Sequence, residues 1–137
     1  MNPEAKEAYA YAAARPDMLE MLARITARDL VQQMPYSKTP ADLIAGRKVL
    51  AKAIARAIKA GCQPVCIPVP EAASRALGGP QSLPAGFVTA LAVGIDVDGQ
   101  VTCVTQSAWA PDRAAAHEAA RCASLGSLAC LCARSGL

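Results

Sequence analysis

The sequence predicts an α+β fold, in which N-terminal helices and a C-terminal helix pack against a small antiparallel sheet. Residues 1–61 show helical periodicity between recognisable start and stop signals, which predicts two or three helices. Residues 87–107 form two β-rich runs around a turn and predict a hairpin. The chain becomes helical in composition again after Pro111. Helices and strands alternate too sparsely for a doubly wound sheet.

Length and composition predict one folded domain that associates with itself or with a partner. The chain has 137 residues and is 53% hydrophobic, which is enough to bury one core. We expect a single domain over residues 1–137, with a helical part at 1–61 and a hairpin and helix part at 62–137. Charged residues make up 18% of the chain, below the average share of about a quarter, so we expect self-association to cover apolar surface.

The sequence predicts a cytoplasmic protein with reduced cysteines. The N-terminal segment contains two glutamates and no continuous apolar stretch, so it does not read as a secretory signal. No run of apolar residues is long enough to span a bilayer. Without a secretory signal, the six cysteines are expected to be reduced, buried thiols rather than disulfides.

Two helices are expected before residue 35. Asn2 is a suitable N-cap and Pro3 suits the first helical position of a short alanine-rich helix that runs to about Arg15. A second helix restarts at Pro16 and ends at Met34, before a proline; one kinked helix is the alternative. The second helix places three large apolar side chains on one side: Met18, Leu22 and Ile25.

The third helix is the most clearly amphipathic element of the sequence. It begins at Thr39, whose spacing to Asp42 resembles a capping box, and it stops at Gly61. Its apolar face spans about 80° of arc and consists of Leu43, Leu50, Ile54 and Ile58. A basic stripe lies nearly opposite and consists of Lys48, Lys52, Arg56 and Lys59. Arg47 lies within the apolar arc, where it must snorkel, pair with an acid or face a partner.

Residues 62–86 predict an edge element followed by a connector. Prolines at positions 64, 68 and 70 cannot donate ladder hydrogen bonds, so this stretch predicts an edge strand or an extended arm. A short helical turn should follow. We expect residues 78–86, which are rich in glycine and proline, to be a flexible connector.

The hairpin turn is predicted at Asp98-Gly99, with Asp98 making the turn and Asp96 facing water. Trp109 follows the hairpin and has two interpretations. We favour a core anchor, and the alternative is an exposed contact for a partner, because such aromatic side chains bury much area at low entropic cost.

The C-terminal segment is predicted to be one helix from Pro111 onward. If the helix continues, it carries a ridge of small residues: Ala115, Ala119, Cys122, Gly126, Cys130 and Ala133. The alternative ends the helix at Gly126 and makes residues 127–133 a buried strand, because periodicity does not distinguish the two for so short an apolar run.

No recognised catalytic, metal or nucleotide motif supports a cofactor. The cysteines form no CxxC pair, and His117 lacks the second histidine of HExxH. As a general base, His117 would need an oriented nucleophile, for which the candidates are Ser107, Ser124 and Cys122. Asp96 and Asp98 could ligate a metal or act as an acid and base pair. The glycines form neither GxxxxGK[ST] nor GxGxxG.

The leading hypothesis is therefore a small non-catalytic interaction protein that docks to a macromolecule, of the regulator or inhibitor kind that phages and mobile elements direct at host complexes. The alternatives are nucleic-acid binding through the basic stripe, and a small enzyme or thiol or metal protein. The net charge of +3 is weak for a dedicated nucleic-acid binder, so phosphate attraction would have to be local. The expected partner-binding residues are Lys48, Lys52, Arg56, Lys59, Arg47 and Trp109.

Overall fold

Helices at both ends of the chain enclose a three-stranded sheet. A computed structural model describes residues 2–78 and 83–135. In chain order the elements are α1 (Pro3–Ala13), α2 (Pro16–Gln33), α3 (Pro40–Lys59), β1 (Val65–Val69), α4 (Glu71–Ser74), β2 (Phe87–Ile95), β3 (Val101–Trp109) and α5 (Arg113–Ser135). This arrangement confirms the predicted α+β class. The predicted connector at 78–86 lies partly outside the described residues, which omit 79–82.

The start of α1 and the break before α2 lie where the sequence predicts them. The Asn2 side chain accepts a hydrogen bond from the N–H of Glu4 at 2.9 Å, and α2 restarts at Pro16. The buried face of α2 differs from the expected side. Its buried residues are Leu19, Ala23, Ala27 and Val31, spaced four apart. This row of small and medium side chains allows α2 to pack closely on α3, and it leaves Met18 and Ile25 exposed.

Both predicted ends of α3 are confirmed. Thr39 and Asp42 exchange hydrogen bonds of 3.2 and 3.1 Å, forming a capping box. The helix ends at Lys59, and Gly61 follows with a left-handed φ of +73°. The predicted apolar face is buried at Leu50, Ile54 and Ile58 and half-buried at Leu43, whereas every residue of the basic stripe is exposed.

The sheet has the order β1-β2-β3, and both pairings are antiparallel. The prediction of an edge strand at the proline-rich stretch is confirmed, because β1 is the outermost strand of the sheet in the described part of the chain. The hairpin runs in register from Phe87 opposite Trp109 to Ile95 opposite Val101, so it extends two residues beyond the predicted 107.

The hairpin turn is organised by Asp96 rather than by Asp98. The Asp96 Oδ1 accepts hydrogen bonds from the N–H groups of Asp98 and Gln100, each at 2.9 Å. Gly99 adopts a φ of +86°, which suits the bulged turn of this hairpin. The expectation that Asp96 merely faces water was therefore wrong, since its short side chain is the acceptor that closes the turn.

The sheet is the middle of three layers. The β2 side chains Leu91 and Val93 join a core with the buried residues of α2 and α3. The opposite face of β2 packs on α5, where Val88 and Ala90 cluster with Ala116 and Ala120. Because both faces are covered, every residue from Val88 to Gly94 is buried. The tertiary packing thus places α2 and α3 on one side of the sheet and α5 on the other.

The helical interpretation of the C-terminal segment is confirmed, since α5 runs through residues 127–133. The ridge of small residues lies on its exposed side at Ala115, Ala119, Cys122, Gly126 and Cys130, and the side chain of Ala133 lies outside the described set. None of the helices described for residues 2–78 and 83–135 is long and apolar enough to cross a membrane.

Candidate docking groove

A groove runs between α2 and α3 on the surface that faces away from the sheet. Its volume is about 810 Å³. The two helices are joined by a short connection, residues 34–39, so they lie side by side and their outward rows of side chains form two walls. The groove is lined by Pro16, Leu19, Glu20, Ala23, Arg24, Ile25, Arg28, Ile44, Arg47, Lys48, Ala51, Lys52 and Ala55.

The floor of the groove is apolar and shallow. Leu19 and Ala23 of α2 lie opposite Ala51 and Ala55 of α3, and alanine side chains leave room that larger residues would fill. Ile44 stands at the wall with 68% of its surface exposed, the highest value among the exposed large hydrophobic side chains described. An isoleucine that stays this exposed gains little from folding, so it is available for contact with another molecule.

The rim of the groove is basic on both sides. Five cationic residues line it: Arg24 and Arg28 from α2, and Arg47, Lys48 and Lys52 from α3. Glu20 is the one acidic lining residue, so the lining carries 5 − 1 = +4 charges. Glu20 forms an exposed ion pair with Arg24 at 2.6 Å, and Arg28 contacts Asp29 at 3.5 Å. Lys48 and Lys52 make no ion pair among the described residues.

Arg47 occupies the position that its sequence pattern makes unusual. It lies in the wall of the groove, and its Nε is buried without a hydrogen-bond partner within the described part of the chain. The sequence left three outcomes for Arg47: snorkelling, pairing with an acid, or facing a partner. Pairing of the Nε with an acidic side chain is not observed in the described residues. A buried guanidinium donor without an acceptor costs free energy, so Arg47 is held at this position at the expense of stability.

The basic stripe divides into two halves. Lys48 and Lys52 line the groove, whereas Arg56 and Lys59 are exposed further along α3 and are not among the lining residues. The stripe and the groove are therefore not the same surface. This division provides two pairs of similar residues on one helix, one pair inside the candidate site and one pair outside it.

Arg24 and Arg28 were missed by the sequence reading of partner-binding residues. They belong to a Glu20, Arg24, Arg28 series with a spacing of four, which places all three on one side of α2. The adjacent series Leu19, Ala23 and Ala27 has the same spacing. A cationic row beside a small apolar row is the signal that could have predicted the wall of a groove.

Trp109 lies apart from the groove and is not a core anchor. It is the last residue of β3 and 54% of its surface is exposed, so the favoured interpretation was wrong. Its indole packs over Gly86, where a β-carbon would collide with the ring. It lies at the end of an edge strand opposite Phe87, which is also exposed.

The residues considered for catalysis and metal binding do not assemble into one site. No group of three His, Cys, Asp or Glu side chains that could hold a metal ion occurs in the described residues. The Ser107 hydroxyl lies 2.7 Å from that of Thr89, and the Ser124 hydroxyl donates to the carbonyl of Arg121 at 3.0 Å. These hydroxyls therefore take part in structural hydrogen bonds rather than contact His117.

The six cysteines are free, and the expectation that all are buried was wrong. Cys122 and Cys130 are exposed on α5, because the ridge on which they lie faces away from the sheet. The other four are half-buried. Burial raises the pKa of the Cys103 thiol and of the Cys62 thiol, which disfavours the reactive thiolate at both positions.

Comparison of the chain with protein-family models, with curated proteins and with solved structures found no match. The interpretation of the groove therefore depends on the chemistry of its own residues.

Proposed function

We propose that this protein is a non-catalytic docking protein whose groove between α2 and α3 holds an acidic amphipathic helix of a partner protein. The observation that carries the proposal is the combination of an apolar floor with cationic side chains on both walls. The apolar floor suits the apolar face of a helix, and the cationic walls suit acidic residues beside that face. The apolar face of a helix would cover the floor while its acidic flanks meet the rim.

The dimensions of the groove suit a short helix. Its α2 wall extends from Pro16 to Arg28, twelve residue steps, which correspond to about 18 Å of helix axis at 1.5 Å per residue. A ligand helix of about three to four turns matches that length.

The positive charges of the rim favour a ligand with negative charge. Carboxylates on both flanks of a docked helix would meet Arg24 and Arg28 on one wall and Lys48 and Lys52 on the other. Electrostatic complementarity of this kind raises the association rate and excludes basic segments. Arg47 also lines the groove, so its positive charge would add to the attraction for an acidic ligand.

Nucleic-acid binding through α3 is the second candidate, and the exposed basic stripe favours it. The composition of the groove argues for a protein ligand instead. No aromatic side chain of the described residues lines the groove, so bases find no ring there on which to stack. The apolar floor also offers nothing to a phosphate backbone, whereas a helical peptide would bury it.

A docking protein of this kind acts by occupying a segment that its partner needs for another contact. We therefore propose that it regulates or inhibits the complex to which the acidic segment belongs, without a cofactor and without turnover. A cytoplasmic location belongs to the same proposal, since the six free thiols suit a reducing compartment.

The test uses a fluorescently labelled peptide of about fourteen residues that forms one to two leucine-rich helical rows flanked by glutamate. Its binding is followed by fluorescence anisotropy at about 50 and about 200 mM salt, beside labelled single-stranded and duplex DNA and RNA. We expect the peptide to bind and to bind more weakly at the higher salt concentration. A scrambled peptide of the same composition should bind much less, because its leucines no longer share one face.

Two results would overturn the proposal. If the scrambled peptide binds as well as the amphipathic peptide, the groove contributes only non-specific charge. If nucleic acids bind with a steep loss between the two salt concentrations and the peptide does not bind, the second candidate is correct.

A further inference from the structure

The two edges of the sheet differ in how they are protected against pairing with another strand. Odd-numbered residues of β1, such as Val65 and Ile67, face β2 in the alternating antiparallel pattern, so the N–H groups at even positions would point outward. Three of the four outward positions from 64 to 70 are prolines, and Cys66 is the exception. Proline on an outer edge removes the donors that a further strand would need.

Within residues 2–78 and 83–135, the outer edge of β3 carries no such protection. The N–H of Asp96 donates to the carbonyl of Gln100, which makes this a hydrogen-bonded pair and directs the even residues of β3 toward β2. The N–H and C=O groups of five residues therefore point outward: Val101, Cys103, Thr105, Ser107 and Trp109. Over its nine residues β3 contains neither a proline nor a charged side chain. Long uncharged edges of this kind are normally blocked in a protein that stays monomeric.

We infer that β3 pairs antiparallel with β3 of a second copy of this chain, forming a continuous six-stranded sheet around a two-fold axis. This surface is distinct from the groove between α2 and α3. With the axis at Thr105, Val101 of one copy lies opposite Trp109 of the other, and all nine residues of each strand are matched. Every outward N–H and C=O then meets a partner, since odd residues face odd residues in this register.

The position of α5 agrees with this arrangement. Its clusters with Val88, Ala90 and Ala108 place it mainly over β2 and β3, and it reaches β1 only at Cys66 among the described residues of that cluster. In the six-stranded sheet the two copies of α5 would then lie side by side, about two strand spacings or 10 Å apart. That separation is at the limit of ordinary helix packing, at 8–10 Å, and it requires small side chains where the helices face each other.

The flank of α5 that faces β3 has such side chains. Ser127 accepts a hydrogen bond from Gln106 of β3 at 3.2 Å, whereas Ser124 contacts Cys66 of β1 at 3.3 Å. These contacts orient the helix about its axis. At about 100° per residue, the flank beyond Ser127 on the β3 side carries Ala119, Ala123 and Cys130, and the opposite flank carries Glu118 and Arg121. The flank that the second copy would meet is therefore uncharged from Ala119 to Cys130.

A second copy fits this edge better than a strand from another protein does. The strand matches itself over its full length, and the same two-fold axis brings together the uncharged flanks of α5. A foreign strand would satisfy the edge of β3 but would leave the flank of Ala119 and Ala123 unpartnered. The exposed Trp109 would also pass opposite Val101 of the second copy, which accounts for a large aromatic ring at the end of an edge strand.

The full chain is tested by sedimentation velocity and light scattering at micromolar to submillimolar concentrations. The wild-type protein should have twice the 14.1 kDa mass of one chain. Thr105→Pro removes an outward N–H and keeps the pairing with β2, and it should raise the dimer dissociation constant about tenfold or more. Thr105→Val is the matched control: both variants lose the weak Thr105 hydroxyl contact with Leu77, but Val retains the N–H and should remain dimeric.

A second pair of variants keeps the test informative if the proline variant fails to fold. Ala123→Lys places a charge on the flank that faces β3, and Ala114→Lys places the same charge on the opposite flank; both alanines are exposed. We expect Ala123→Lys to produce monomers and Ala114→Lys to leave the dimer intact. A wild-type protein that is monomeric at every concentration, or a dimer that survives both Thr105→Pro and Ala123→Lys, would overturn the inference.

Discussion

Gly46 of α3 lies directly against Ala76, so that a β-carbon on Gly46 would stand 2.6 Å from the β-carbon of Ala76. Through this contact α3 packs against the segment that follows α4. Gly46 is followed directly by Arg47, which lines the groove. Overpacking by the added methyl group should cost about 1–3 kcal/mol against a gain of about 1 kcal/mol in helix propensity, so we predict that Gly46→Ala destabilises the protein by up to about 2 kcal/mol. Urea unfolding followed by circular dichroism measures the change.

The matched control is the other glycine inside a helix. A β-carbon on Gly126 would meet nothing within 4 Å. Gly126→Ala should therefore stabilise α5 by about 0.5–1 kcal/mol, the usual gain when glycine is replaced by alanine within a helix. If both substitutions stabilise the protein, the close approach of Gly46 to Ala76 is not present in solution.

The capping box of α3 gives a prediction on stability alone. Thr39→Ala removes the acceptor for the N–H of Asp42 and should cost about 1 kcal/mol of unfolding free energy. Ser37→Ala in the same connection is the control, since Ser37 is exposed and lies outside the capping box. Equal unfolding midpoints for the two variants would show that the cap does not hold α3.

Two isoleucines of α3 separate docking from folding. Ile54 is fully buried, so Ile54→Ala should cost about 2–5 kcal/mol of stability. Ile44 is 68% exposed at the wall of the groove, so Ile44→Ser should change stability by less than about 0.5 kcal/mol. The second substitution should nevertheless weaken binding of the amphipathic peptide several-fold. Unchanged peptide affinity in a folded Ile44→Ser variant would remove the apolar wall from the proposed site.

The thiols should react in an order set by their exposure. Cys122 and Cys130 are exposed and should be alkylated first at neutral pH, whereas burial raises the pKa of Cys103 and should make it among the slowest to react. Mass spectrometry after timed alkylation follows each site. Rapid modification of Cys103 in the folded protein would contradict its place in the core.

The same pKa shift predicts how stability depends on pH. Folded protein keeps the proton of Cys103 above the usual thiol pKa of 9.0, while unfolded protein releases it. The free energy of unfolding should therefore be constant with respect to this group below about pH 9 and fall as the pH rises through the raised pKa. Cys103→Ala should reduce that fall, measured as urea midpoints across the alkaline range.

The elements that the sequence predicted correctly are those with local signals. Pro16 separates α1 from α2, and Thr39 and Gly61 bound α3, because each acts on the backbone within one helical turn. The hairpin was predicted because its turn residues lie next to each other in the chain. The residue that closes the turn was nevertheless predicted wrongly. Asp98 was expected to make the turn, but the side chain of Asp96 accepts the hydrogen bonds that hold it.

The groove required tertiary information. Lys48 and Lys52 were predicted as partner-binding residues, but the pairing of their helix with Arg24 and Arg28 of α2 depends on how the two helices rotate against each other. That rotation follows the buried row of α2, which consists of Leu19, Ala23, Ala27 and Val31. Two of these four are alanines, and a hydrophobicity pattern ranks alanine below the methionines of α2 that are exposed. The exposure of Trp109 likewise depends on the tertiary packing at the end of the hairpin, where Phe87 is also exposed, and no local pattern around position 109 indicates it.

The central claim is most directly tested by two charge reversals on the same helix. Lys52→Glu lies in the groove and Lys59→Glu lies outside it, yet both replace an exposed lysine of α3. Titration of the labelled acidic amphipathic peptide should show that Lys52→Glu weakens binding about tenfold, while Lys59→Glu changes it by less than about twofold. Equal losses from the two variants, with both still folded, would contradict docking in the groove and would assign the binding to charge alone.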